Sequence, residues 1–183
     1  MQQRKRRKTE TAPEYSESAV RDLILRRLTR MASTRAQLEK YLTSKQVAAE
    51  MYMPILDRYE EVGLINDQEY AEMWVRSRRS IRGSGPLALA RELSLKGVDP
   101  LLAQQAIESR VGDDLELATA LAQRKYRSVM RYEPHTRATR LATFLIRRGY
   151  STSVAFAAAH DVIRQTAMHD GDSDVVLASY EDD

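Results

Sequence analysis

Three nine-residue segments of this chain superimpose when written one above another: LEKYLTSKQ from Leu38, LARELSLKG from Leu89 and LATFLIRRG from Leu141. Each has leucine at its first and fifth positions and a basic residue at its eighth (Lys45, Lys96, Arg148), and the second and third copies end in glycine. Leucines four apart share one face of an α-helix, and a glycine after a basic residue is a helix stop. The copies are offset by 51 and 52 residues. A period of that size marks one supersecondary unit repeated in tandem. A single unit of about 50 residues buries little apolar surface alone, so its neighbours must supply the rest. The expected fold is therefore all-α, an elongated array of three three-helix repeats.

The helix signals around these segments agree with that period. Val20, Leu23, Ile24, Leu28 and Met31 form an amphipathic stripe. Thr34 and Gln37 can close a capping box, and Asn66 with Glu69 repeats the device before Tyr70, Trp74, Ser77 and Ile81. Pro86 and Pro100 suit first helical turns, Gly63, Gly83, Gly97 and Gly149 suit helix ends, and Ser151 caps the last helix. Further helices are predicted at AAEMYMPILDRYEEV, at LELATALAQRKYRSVMRY and, after Pro134, at RATRLATFLIRR, making nine. Only 7 glycines and 5 prolines interrupt the chain. The predicted organisation is a basic disordered tail over 1–15, repeats over 16–65, 66–112 and 113–169, and an acidic tail over 170–183. Trp74 is expected to be buried at the boundary of the first two repeats.

Charge is striped along the sequence. Residues 1–8 carry +5 and 170–183 carry −6; between them 9–75 carry −4, 76–96 carry +5, 97–120 carry −4, 121–150 carry +7 and 151–169 carry 0. The first basic block holds Arg76, Arg78, Arg79, Arg82, Arg91 and Lys96 against Glu92 alone. At 100° per residue, Arg78, Arg79 and Arg82 fall on the flank of the Tyr70–Trp74–Ile81 face, where they form a predicted docking ridge. The second block holds Arg124, Lys125, Arg127, Arg131, Arg137, Arg140, Arg147 and Arg148 against Glu133, with Tyr126, Tyr132 and Tyr150 interleaved. Arginine forks fit carboxylates and phosphates; the tyrosines are either base-stacking platforms or core residues with a hydroxyl at the surface.

Catalytic chemistry has no foothold in these residues. The chain contains no cysteine, and His135, His160 and His169 lack ligand-pair spacing. Phosphate-loop, nucleophile-elbow and zinc-protease motifs are missing. A non-enzymatic, monomeric, cytoplasmic protein without metal or cofactor and without a membrane span is expected.

The stretch GLINDQEYAEMWVRSRR, followed by GPLALARELSLKGVD, resembles the RecX family of bacterial regulators of the RecA recombinase. The resemblance extends over about 18–165. Its most specific part is Gly63-Leu64-Ile65-Asn66-Asp67 with Glu69, Tyr70 and Ala71, then the arginine-rich helix end, Gly85-Pro86 and the stop at Gly97. It implies tandem three-helix repeats that bind in the groove of the RecA–DNA filament and restrain it in DNA repair and recombination, with weak direct contact to single- or double-stranded DNA as an accompaniment. A sequence-independent helical DNA-binding or transcription-regulating protein is the alternative. Under that alternative, LARELSLKGVDPLLAQQAIE would form a helix-turn-helix whose second helix offers only Gln104, Gln105 and Glu108 to bases. A general repeat scaffold would leave the basic blocks unexplained.

Overall fold

The computed structural model describes residues 15–109 and 114–178, and nine α-helices are found among them. They are α1 (Glu17–Arg30), α2 (Arg35–Ser44), α3 (Ala49–Glu61), α4 (Asp67–Arg82), α5 (Pro86–Leu95), α6 (Pro100–Glu108), α7 (Asp114–Tyr126), α8 (Pro134–Arg147) and α9 (Thr152–Ala178). No described residue lies in a strand. No helix among the described residues is long and apolar enough to cross a membrane. The predicted basic tail falls outside the described residues except for Tyr15.

Three helix ends differ from expectation. α7 stops at Tyr126 and the chain turns through 127–132, whereas the periodicity predicts helix to Tyr132. The predicted apolar spacing does not require those six residues to be helical: Val129 and Tyr132 reach the third-repeat core from successive turns. α8 begins at Pro134 itself, where a missing N–H costs nothing. α9 continues to Ala178, so 170–178 are helical where a tail is predicted, while 179–183 fall outside the described residues.

The repeat is visible at backbone level. The first and fifth leucines of each segment (Leu38 and Leu42, Leu89 and Leu93, Leu141 and Leu145) are all fully buried. Each middle helix then ends in the same closure. Val47, Val98 and Tyr150 donate their N–H groups to the carbonyls of Leu42, Leu93 and Leu145 at 3.1, 3.1 and 3.2 Å. The residue before each donates to a carbonyl three residues back, at 2.9 Å in all three copies. This pair of bonds satisfies carbonyls the helix leaves open and forces the ninth residue into the left-handed region. Gly97 and Gly149 take φ of 76° and 93° there, and in the first copy Gln46 takes 62°.

The chain divides into two compact units within α4, after Tyr70. In the first, α1 and α2 pack on α3 around Val20, Ile24, Leu38, Leu42, Ile55 and Leu56. Its Thr34–Gln37 capping box forms as predicted. In the second unit α5 packs on α6, and α7, α8 and α9 enclose a core rich in small residues, including Ala118, Ala122, Ala142, Ala155, Ala158 and Ala159. Alanine at these contacts lets helix axes approach closely.

Gly85 and Gly149 bring the second and third repeats together through backbone alone. Gly85 donates to the Arg148 carbonyl at 2.8 Å, and Leu87 donates to that of Gly149 at 3.0 Å. A Cβ on Gly85 would lie 2.5 Å from the Gly149 carbonyl carbon, and one on Gly149 would lie 2.4 Å from Ala88.

Candidate docking surface

The buried face of α4 matches the predicted one only at Tyr70, which is buried. Ile81 is 75% exposed and Trp74 is half-buried, whereas Ala71 and Val75 are fully buried and Arg79 is 8% exposed. The arc chosen by its large side chains is thus turned about 100° from the arc that packs. Position explains the difference: Val20 and Ile24 in α1, Ala71 and Val75 in α4, and Ala118 and Ala122 in α7 are equivalent and all fully buried. The next seam position holds Leu28, Arg79 and Tyr126 in turn. Arg79 therefore does not belong to a docking ridge. Its guanidinium pairs with Asp114 at 2.8 Å, tying α4 to the start of α7 with both side chains largely enclosed.

The residue before that seam position is basic in every repeat: Arg27, Arg78 and Lys125. In each repeat this cation and the eighth-position cation of the middle segment stand over one aromatic ring. Arg27 and Lys45 lie 4.7 and 5.7 Å from the centre of Tyr41. Arg78 and Lys96 lie 4.0 and 3.9 Å from Trp74, and Lys125 and Arg148 lie 5.8 and 5.2 Å from Phe144. All six distances are within cation–π range. Tyr41 and Phe144 occupy the fourth position of the repeated segment. The second copy has Glu92 there, and its ring comes from α4 instead. The carboxylate of Glu92 accepts from Trp74 Nε1 at 2.9 Å and from Arg78 Nε at 3.0 Å.

Of the first basic block, Arg76, Arg82 and Arg91 are exposed, Arg78 and Lys96 are half-buried in the Trp74 stack, and Arg79 is internal. The second block is displayed more fully. Arg124, Lys125, Arg127, Arg131, Arg140 and Arg147 are exposed, and none of them forms an ion pair among the described residues. Arg137 is half-buried and donates to the Tyr132 carbonyl and, at 3.3 Å, to the Tyr126 hydroxyl. Arg148 donates to the Arg82 carbonyl at the C-terminus of α4, a site of partial negative charge. Tyr126 and Tyr150 are core residues, as one of the two readings has it, and only Tyr132 stays half-exposed. Burial raises the Tyr150 hydroxyl above its ordinary range, while the hydrogen bond from Arg131 lowers that of Tyr132.

An open groove of about 490 Å³ runs between the turn after α7 and the outer face of α8. Lys125, Arg131, Arg140 and Arg147 line it together with Tyr132 and Phe144, and none of its lining residues is acidic. Arg140 lies 3.9 Å from the centre of the Tyr132 ring, and Arg131 lies 5.0 Å from it and donates to its hydroxyl at 2.9 Å.

The Gly63–Tyr70 stretch, in contrast, is structural. Gly63 takes φ 73° with Leu64 closing onto the Tyr59 carbonyl at 2.8 Å, and Asn66 Oδ1 accepts from the Glu69 N–H at 3.0 Å. Asp67 accepts from the Arg35 N–H at 2.9 Å, at the start of α2, and burial raises its carboxyl above the usual range. The recurring clamp was open to detection in the sequence through its cation at every eighth position and the matching aromatics Tyr41 and Phe144. The ring supplied by Trp74 from another helix hides the second copy.

Comparison with known proteins gives a consistent result. Residues 66–107 match the family described as RecX, second three-helix domain, and residues 112–158 match RecX, third three-helix domain. The regulatory protein RecX of Streptomyces coelicolor is 40% identical over 154 residues, covering 83% of this chain and 79% of that protein. That of Thermobifida fusca is 38% identical over 147 residues, with 79% of each covered. The crystal structure of RecX from Lactobacillus salivarius superimposes with a TM-score of 0.75 at 23% identity, over 80% of this chain and 96% of that one.

Proposed function

The chain belongs to the RecX family of regulatory proteins, and from that premise we propose that it binds the filament RecA recombinase forms on DNA. Bound there, it restrains filament growth and strand exchange in recombination and repair. It acts in the cytoplasm as a monomer, by occupying the filament groove and not by catalysing a reaction. The observation that supports this reading is the outward cation set Arg76, Arg82 and Arg91 of the second repeat, continued by that of the third. Among the described residues no carboxylate forms an ion pair with these groups, so an acidic partner surface or phosphates can neutralise them.

The test compares affinity for a nucleotide-stabilised RecA filament with affinity for naked single-stranded DNA at one salt concentration. Much tighter binding to the filament is expected, together with inhibition of RecA-driven strand exchange. Equal affinity would instead support a sequence-independent DNA-binding protein. Replacing Arg76, Arg82 and Arg91 together with Glu should weaken filament binding by roughly ten- to a thousandfold, about 1.4–4 kcal/mol. Helicity and melting temperature should remain near those of the unmodified protein, since exposed substitutions cost about 0.5 kcal/mol or less each.

A further inference from the structure

The third repeat is longer than the other two at one place. The first leucine of the repeated segment follows the seam position by ten residues in the first two copies (Leu28 to Leu38, Arg79 to Leu89) and by fifteen in the third (Tyr126 to Leu141). Within that longer stretch lies the turn at 127–132, which stands where α1 and α4 continue as helix to Arg30 and Arg82. On this turn Ser128 is exposed, at the position that Arg30 and Ile81 hold in the other repeats. We infer that Ser128 is a phosphorylation site for a serine/threonine kinase that selects basic sequences, and that the phosphate it receives binds the cations of the adjoining groove and closes it.

The sequence around Ser128 is already laid out for such a kinase. Arg124, Lys125 and Arg127 stand four, three and one residues before it, and Arg131 stands three after it. All four are exposed and none is in an ion pair among the described residues, so an acidic kinase cleft can read them as they stand. A substrate segment must also be drawn out of its fold to reach the transferred phosphoryl group. This turn is closed by short-range bonds: Ser128 and Val129 donate their N–H groups to carbonyls three residues back, at 3.0 and 2.8 Å, and the Ser128 hydroxyl donates to the Lys125 carbonyl at 2.7 Å. Such a segment opens at lower cost than a helix interior. Ser80 supplies the contrast, since it follows Arg78 and Arg79 and is exposed, yet lies within α4, where Arg79 is internal.

In the reaction the Ser128 hydroxyl oxygen attacks the γ-phosphorus of ATP. An O–P ester bond forms, the bond from that phosphorus to the β-phosphate oxygen breaks, ADP leaves, and the hydroxyl proton passes to a carboxylate of the kinase. Ser128 lines the groove together with Lys125, Arg131, Arg140 and Arg147, and no acidic residue lines it to repel the product. A phosphoserine brings a charge of about −1.5 to −2 at pH 7 with three acceptor oxygens, enough to answer about half of the four cations. Because Arg140 and Arg147 come from α8, the phosphate ties the turn to a second helix. Glu92 answers Arg78 permanently within the second repeat. A phosphate on Ser128 gives the third repeat the same kind of internal partner, one that can be added and removed. Its effect on RecA-filament binding rests on the filament reading, whereas the modification and its seat do not.

The full chain is incubated with magnesium, ATP and the catalytic fragment of protein kinase C, chosen because it selects basic residues on both sides of its target. Mass spectrometry should place phosphate at Ser128 with Ser80 unlabelled, and Ser128→Ala should lose nearly all of the label. Labelling of Ser80 equal to that of Ser128, or an unlabelled chain, would overturn the proposal. The seat is tested by phosphorus-31 titration of the chain carrying phosphoserine in place of Ser128. Cations favour the dianion, so the second ionisation should lie below its ordinary value of about 6, and replacing Arg140 and Arg147 with Ala should raise it by roughly half a pH unit or more. No rise would leave the phosphate on the turn cations alone and overturn the closing of the groove. The phosphoserine form should also bind a nucleotide-stabilised RecA filament roughly tenfold more weakly than the unmodified chain. Equal binding by the two forms would overturn the switch. Failure of the unmodified chain to bind would instead defeat the filament reading, with labelling and titration still deciding the site.

Discussion

The second and third repeats share one backbone plan and use their positive charge in opposite ways. In the second, Arg79 is internal and paired with Asp114, Arg78 is paired with Glu92, and Lys96 lies on Trp74. In the third, the residue equivalent to Arg79 is Tyr126, the residue equivalent to Glu92 is Phe144, and most of the cations reach solvent. Two positions thus decide whether a basic block is paired within the fold or left facing solvent. Counting charge along the sequence cannot tell the two apart, because both blocks read as equally unopposed.

The largest expected effect probes the internal side of this contrast. Arg79→Ala should destabilise the protein by about 3–5 kcal/mol, since it leaves Asp114 enclosed without its cation. Urea titration measures this, and Arg147→Ala should stay within about 0.5 kcal/mol. Replacing both partners, Arg79→Met with Asp114→Leu, should restore most of the loss. A loss below 1 kcal/mol for Arg79→Ala would place the second repeat's charge on the same footing as the third's.

A smaller effect is expected at the clamp. Glu92→Gln keeps an acceptor for Trp74 and Arg78 but removes the charge that strengthens both bonds. Charge-assisted hydrogen bonds exceed neutral ones by about 1 kcal/mol, and partial exposure reduces that difference. A loss of about 1 kcal/mol in thermal unfolding is expected.

The smallest effect separates two tyrosines of the third repeat. The Arg131 hydrogen bond lowers the Tyr132 phenol and burial raises that of Tyr150. Tyr132 should therefore ionise early in an ultraviolet titration, and Tyr132→Phe should remove the early component. The sign for stability follows. A phenol depressed in the folded state favours folding once pH rises above its folded range, and contributes nothing from ionisation at neutral pH. For Tyr150 the sense is opposite, and rising pH through the ordinary phenol range weakens the fold.

Much of the architecture is legible from local chemistry. Paired leucines, capping residues and helix-stopping glycines carry short-range information, and the middle helices follow them. Gln46 shows the limit: tertiary context imposes φ 62° on a residue that does not prefer it, and only alignment with Gly97 and Gly149 hints at this. The turn at 127–132 is equally hidden, since nothing in YRSVMRY breaks a helix. The candidate site is less legible than the fold. Arg79 carries the charge of a surface residue and the spacing of a core one, with Ala71 and Val75 at four-residue intervals before it. Asp114 reads as a helix-start residue on its own, so the pair that encloses both residues exists only once α4 and α7 meet. Trp74 and Ile81 draw the eye as bulky residues while the small ones beside them do the packing.

The joint at Gly85 and Gly149 has a consequence for time as well as for shape. Its two backbone hydrogen bonds span more than 60 residues of chain and use no side chain. The amides of Gly85 and Leu87 can meet solvent deuterium only when the third repeat's helix stop withdraws from the start of α5. Their exchange therefore serves as a clock for the parting of the two repeats, readable without any label. Because backbone alone makes these two bonds, substitution of exposed cations such as Arg76 or Arg147 should leave that clock's rate unchanged, whereas loss of Arg79, which pairs with Asp114 in α7, should quicken it.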